Sequence, residues 1–100
     1  NLSPGNQLKH YSPNKAIRIN AENVFDDEAL LNFGKNNLKS KIQDLNLSIR
    51  ADLSEASYNF YNFLNILDKS KCNRIAVAPI PNHGLGKTIN DRLKRAAYED

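Results

Sequence analysis

The sequence predicts a small α/β domain: a sheet of about four strands, mainly parallel, with two main helices. Three observations predict it. Short apolar runs with strand spacing occupy the first half of the chain. A stretch of helical period over Leu53–Lys69 separates the third run from a fourth, Ile75-Ala76-Val77-Ala78, which carries no charge. A second helical stretch follows a loop containing two glycines.

Residues 1–14 have neither period. Pro4, Gly5 and Pro13 flank His10 and Tyr11, and each proline biases the residue before it towards extended backbone. The segment reads as a linker, with the folded domain spanning 15–100. In Lys15–Asn20, Ile17 and Ile19 alternate with Arg18 and Asn20, which predicts a strand with one buried face. Asn23–Asp27 is turn-like, and Asp26, Asp27 and Glu28 read as a solvated charge run. Ala29, Leu30, Leu31 and Phe33, closed by Gly34, form a run whose length favours a strand over a helix. Lys35–Lys41 is a charged, Asn-rich loop. Ile42, Leu45, Leu47 and Ile49 define a less regular third strand.

Asp52 and Glu55 have the spacing of a capping box, in which each end of the first turn satisfies the other. Behind them Leu53, Ala56, Phe60, Phe63, Leu64 and Leu67 share one face, so a helix runs from Leu53 to about Lys69. Lys69 and Lys71 lie at its negative end. Tyr58 and Tyr61 read as core-edge residues. Arg74–Ile80 is a strand buried on both faces and ended by Pro79 and Pro81. Leu85, Ile89, Leu93, Ala96 and Ala97 mark the second helix. Strand three, first helix and strand four read as a β-α-β unit. The link between strands one and two is too short for a helix, which leaves their relative direction open.

With 100 residues, 40% of them hydrophobic and 25% charged, the chain makes one domain at most. Roughly two-thirds of the unfolded surface can be buried at this length. The lone Cys72 excludes an internal disulfide and a multi-cysteine zinc site, and fits a reducing compartment. No apolar run approaches the ~20 residues needed to cross a bilayer. A start at Asn1 without any Met is expected of a piece of a longer protein. The net charge of +3 permits an anionic partner without requiring one.

Few residues point to chemistry, and no catalytic constellation emerges. Gly84, Gly86, Lys87 and Thr88 open the second helix in the layout of a phosphate loop, but Pro81 stands where such a loop needs its first glycine. Weak anion binding at the helix N-terminus is the broader reading of this loop, and an ordinary strand-to-helix turn the plainer one. His10 and His83, the only histidines, lack acidic or cysteine neighbours at metal-ligand spacing, so no metal is expected. Arg92, Lys94 and Arg95 are candidates for RNA or interdomain contact, weighed against a solvated helix face.

Two stretches carry a resemblance. One is Ser3-Pro4-Gly5 followed by His10-Tyr11-Ser12-Pro13. The other is Pro79-Ile80-Pro81-Asn82-His83-Gly84-Leu85-Gly86, continuing through Ile89-Asn90-Asp91-Arg92-Leu93-Lys94-Arg95-Ala96-Ala97. Together with Asp52-Leu53-Ser54-Glu55-Ala56, Asn59-Phe60 and Leu67-Asp68, they resemble the linker and C-terminal domain of two-domain threonylcarbamoyl-AMP synthases over nearly the whole chain. Asn6-Gln7-Leu8 stands where many members have Met-Lys-Tyr, and Ala21–Lys41 is short against longer members.

The resemblance implies a Rossmann-like accessory domain. Its parent makes threonylcarbamoyl-AMP from L-threonine, bicarbonate and ATP with Mg2+, for tRNA threonylcarbamoyladenosine modification in the cytoplasm. That parent is a nucleotidyltransferase whose catalytic YrdC-like N-terminal domain lies outside this chain. It implies a linker lying against the catalytic cleft, so Ser3, Pro4, Gly5, His10, Tyr11 and Pro13 are expected to cap the active site, the plainer reading being a linker that merely docks. No cofactor is expected in this piece, no membrane, and tRNA only indirectly. An RNA-binding module is the alternative, and an independent phosphate-binding enzyme the third reading.

Overall fold

In a computed structural model of the chain, residues 13–98 are described. Three short strands come first: β1 (Ala16–Arg18), β2 (Glu28–Asn32) and β3 (Asp44–Asn46). Helix α1 (Leu53–Asp68), strand β4 (Arg74–Val77) and helix α2 (Leu85–Tyr98) follow. The sheet order is β1-β4-β2-β3, and every pair is parallel. The predicted four-strand α/β sheet with two helices is what forms.

The order refines the expected β-α-β unit. β3 and β4 run parallel and α1 connects them, but β2 lies between them in the sheet. β1 and β2, whose relative direction was open, are parallel and separated by β4. β4 and β2 take the two central places, and both are buried on both faces: Ile75, Ala76 and Val77 in β4, Ala29, Leu30 and Leu31 in β2.

Register fixes which side chains share a face, since the side-chain period of a strand is two. Ile17 pairs with Ile75, and Ala29 pairs with Ile75 from the other side. These residues, with Leu31 and Val77, meet Ala56, Phe60, Leu64 and Leu67 of α1 and Ile89 and Leu93 of α2 in one core. Both helices therefore cover the same face. On the opposite face, Leu30 and Ala76 pair and pack with Ala21 in a second, smaller cluster. Loops close it: Val24, between β1 and β2, and Leu38, between β2 and β3, pack against it. The β2–β3 connection carries no helix. Ser40 ties it down, with its hydroxyl donating to the Glu28 carbonyl at 2.6 Å and accepting the N–H groups of Ile42 and Gln43.

Several local expectations are revised. Ile49 lies beyond β3 and is 61% exposed, because the chain turns at Ile49–Arg50 before α1. Tyr58 is 89% exposed rather than core-edge, because it projects from the side of α1 away from the sheet. Tyr61, by contrast, is half-buried at the edge of the core as expected and sets its ring edge-on to Phe60, with centroids 4.9 Å apart. Leu85, expected on the apolar face of the second helix, is 45% exposed. Cys72 is fully buried, and its thiol donates to the Leu67 carbonyl at 3.5 Å.

The α1 cap forms by a longer route than the capping box predicts. Asp52 accepts the N–H groups of Ser54 and Glu55, as an N-cap does. The Glu55 carboxylate does not reach back to the Asp52 N–H. Buried Ser48 stands between them, accepting the Asp52 N–H at 2.9 Å and donating to Glu55 Oε1 at 2.6 Å.

Candidate functional site

The described residues concentrate polar organisation in three places. The first is where the N-terminal arm enters the fold. Asp68 closes α1 and is nearly buried. Its carboxylate accepts the N–H of Asn14 at 3.0 Å and that of Lys15 at 2.8 Å. Lys15 answers with its ammonium, donating to the carbonyls of Asp68 at 2.6 Å and Ser70 at 3.0 Å. The last turn of α1 holds no basic residue of its own. Lys15 supplies the cation that the negative helix end favours, a place the sequence assigns to Lys69 and Lys71. Lys69 is instead the C-cap, donating its N–H to Ile66 and Leu67. The backbone immediately after Pro13 is thus clasped to the end of α1.

Sequence reasoning missed this clasp. One signal was available: a carboxylate in the last helical turn is disfavoured by the dipole and therefore needs another employment.

The second place is the loop-covered face of the sheet. Glu28 opens β2 and is fully buried, in contrast to the solvated charge run expected there. Its carboxylate accepts Arg18 Nε at 2.8 Å and Nη2 at 2.7 Å, Arg74 Nε at 2.7 Å and the Phe25 N–H at 2.9 Å. The Arg18 bonds above all hold the Glu28 carboxyl at about 2, against the upward pull of burial, with help from Arg74 and the Phe25 N–H. Glu28 in turn raises both guanidiniums. Arg18 also stacks on Phe25 at 4.7 Å and donates to the Asn23 carbonyl at 2.8 Å. Asp26 and Asp27 are partly or wholly exposed and pair with Lys41 and Arg74 respectively. The cluster joins β1, β2 and β4 through one buried acid, and every oxygen of that acid is engaged, so it reads as structural.

The third place is the loop after β4. Asn90 of α2 donates to the Ile80 carbonyl at 3.0 Å and to Asn82 at 3.3 Å, folding the loop back onto the helix. A Cβ on Gly86 would overlap the Pro81 carbonyl and lie 3.2 Å from Leu53 Cδ2. Gly86 is therefore where the loop, α2 and the start of α1 approach most closely. Gly84 adopts φ of 53° in open surroundings. The Gly86 N–H donates to the His83 carbonyl at 2.9 Å, and the Lys87 N–H is shared between His83 and Gly84. Lys87 and Thr88 are exposed.

Of the remaining candidates, Arg92, Lys94 and Arg95 lie exposed on α2. Pro13 is half-buried beside the clasp, while Ser3, Pro4, Gly5, His10 and Tyr11 lie outside the described residues. Cys72 precedes β4 and His83 follows it, so the strand separates the two at opposite ends of the sheet. Among the described residues no group of three His, Cys, Asp or Glu side chains could hold a metal ion. No described helix is long and apolar enough to cross a membrane.

A family model described as "Threonylcarbamoyl-AMP synthase, C-terminal domain" matches residues 1–98. No curated protein and no solved structure gives a significant match.

Proposed function

Because the chain belongs to the family of threonylcarbamoyl-AMP synthase C-terminal domains, we propose that it is an accessory domain whose task is to hold the arm before Lys15 in place for a neighbouring catalytic domain. The observation that carries this reading is the clasp of Asp68 on the N–H groups of Asn14 and Lys15. An arm pinned at its root loses less entropy when its far part closes over a site.

In this reading residues 1–14 are the interdomain linker and residues 15–100 the accessory domain. Ser3, Pro4, Gly5, His10, Tyr11 and Pro13 cap the cleft of a cytoplasmic nucleotidyltransferase that joins L-threonine, bicarbonate and ATP for tRNA modification. ATP and Mg2+ are held by the catalytic domain. Tyr11 offers an aromatic face with a hydroxyl, and His10 an imidazole that can donate or accept a hydrogen bond. A cap of this kind keeps water from a labile carbamate and adenylate.

Tyr11→Ala in a chain that carries the catalytic domain tests the reading. Product formation and ATP consumption are expected to fall. Wild-type rates would overturn the cap.

Exposed Arg92, Lys94 and Arg95 favour a second reading, in which α2 contacts tRNA. Titration with tRNA at two salt concentrations decides it, because phosphate contacts release counterions and weaken steeply with salt. Binding that is absent, or indifferent to salt, removes it.

A further inference from the structure

Tyr58 is 89% exposed on α1, and among the described residues no hydrogen bond or ring contact engages it. Ser54 and Asn62, one turn to either side, are exposed and uncharged. Beside this row stands α2, whose exposed cations Lys87, Arg92, Lys94 and Arg95 outnumber its one acid, Asp91. Among the described residues none of these four cations is in an ion pair, whereas Arg18, Lys41, Arg50 and Arg74 all are. The two helices present these groups side by side. Each follows a strand of one parallel sheet and packs back on the same core, so they run the same way. They start together, since a Cβ on Gly86 would lie 3.2 Å from Leu53 Cδ2. At about 1.5 Å per residue, Tyr58 lies ~7.5 Å along α1 from Leu53 and Arg92 ~9 Å along α2 from Gly86. Tyr58 and Arg92 thus stand at similar height on either side of the seam between the helices. Arg92 leans towards that seam: burial raises the Tyr61 hydroxyl above the usual tyrosine range, and the Arg92 charge opposes the rise. Arg95 continues the cation row one turn on.

We propose that the seam between α1 and α2 binds single-stranded RNA, with Arg92 and Arg95 on its phosphates and Tyr58 stacked on a base. The inference rests on the second reading above, in which α2 contacts tRNA, and it adds the form of the strand and a base contact on α1.

Charge and chemistry select the occupant. A protein surface laid over α2 would have to strip its cations of water, a cost that desolvated ion pairs recover only with close geometry. A polyanion meets the same cations while releasing its condensed counterions, which favours binding. Phosphate contacts alone would leave Tyr58 unused. A cationic row beside an exposed aromatic ring is the combination that single strands need: charge tracks the backbone, and the ring stacks on a base of any sequence. In a duplex the base faces are already stacked on one another, so a tyrosine on an open helical layer has no face to meet, whereas unpaired bases can be splayed onto it. The Ser54 hydroxyl and Asn62 amide on the same row offer hydrogen bonds to base edges.

The test titrates the chain with a short fluorescent single-stranded RNA of mixed sequence, and with the duplex of the same sequence, over a range of salt. The single strand is expected to bind more tightly than the duplex. Tyr58→Ala should weaken it about ten-fold and leave the salt dependence unchanged. Tyr58→Phe should bind as the unaltered chain does, because stacking uses the ring. Arg92→Ala combined with Arg95→Ala should flatten the slope of log affinity against log salt by about 1.4, at ~0.7 for each phosphate contact on a single strand. Equal affinity for strand and duplex, or a Tyr58→Ala chain that binds normally, overturns the proposal while leaving α2 as a backbone contact. Absence of any salt-dependent binding removes that second reading as well. Binding that disappears once a catalytic domain is carried in the same chain assigns the seam to that domain and likewise overturns the proposal.

Discussion

Lys15 and Asp68 hold each other from both directions: the Lys15 N–H donates to Asp68 Oδ1 at 2.8 Å, and the Lys15 ammonium donates to the Asp68 carbonyl at 2.6 Å. The end of α1 is thus tied to the residue just before β1, and the two residues lie 53 positions apart in the chain.

Asp68→Ala is expected to release the arm while leaving the domain folded. Both lost bonds go to a charged group, each worth about 1.5–3 kcal/mol. The amides of Asn14 and Lys15 should lose protection from hydrogen exchange, while those of β4 keep theirs. Protection unchanged at Asn14 and Lys15 would show that the carboxylate does not hold the arm. Lys15→Met should cost less, because the carboxylate bonds to the backbone survive it.

The buried Glu28 sets an acid dependence. Its carboxyl lies near 4.5 in the unfolded chain and at about 2 in the folded one, so the folded state binds fewer protons between these values. The stabilisation is complete above pH ~4.5 and is lost as pH falls through about 2. Unfolding measured across that window should show it, and Glu28→Gln should flatten the slope there. Arg18→Ala should destabilise by roughly 3–5 kcal/mol at neutral pH, because it leaves a buried carboxylate short of its principal partner.

Ser48→Ala removes the hydroxyl that relays between the Asp52 N–H and the Glu55 carboxylate. A loss of about 1–2 kcal/mol is expected from urea unfolding, the size of a broken cap. Ser48→Thr should retain most of the stability if its hydroxyl occupies the same place.

Gly86→Ala and Gly84→Ala separate two uses of glycine. At Gly86 the new methyl would overlap the Pro81 carbonyl, so overpacking should cost roughly 1–3 kcal/mol or more. At Gly84 nothing lies within 4 Å, and the cost is the left-handed backbone alone, about 1 kcal/mol. Equal losses in thermal unfolding would contradict this assignment.

Much of the fold was legible in one dimension. α1 was predicted from Leu53 to about Lys69 and runs Leu53–Asp68, because an apolar face at helical spacing and an acidic N-cap are local signals. β4 was legible as a strand buried on both faces because Ile75-Ala76-Val77-Ala78 is an unbroken small apolar run. The residues of the arm's clasp were not. Asp68 shows its role only when Asn14 and Lys15 are brought to it, and Glu28 reads as solvated until Arg18 of β1 and Arg74 of β4 arrive, 10 and 46 positions away.

The order of the strands was likewise undecided by sequence. Each strand declares which of its faces is apolar, but four short parallel strands admit several orders with the same faces buried. The order β1-β4-β2-β3 is fixed by contacts between distant segments: Ile75 between Ile17 and Ala29, and Glu28 between two arginines. The sequence alone thus determined the elements, their faces and the family, since these follow from side-chain period and local motif. The tertiary structure alone decided which strands are neighbours, which acid is buried and where the arm is tied, because each depends on pairing across long loops that no local pattern encodes.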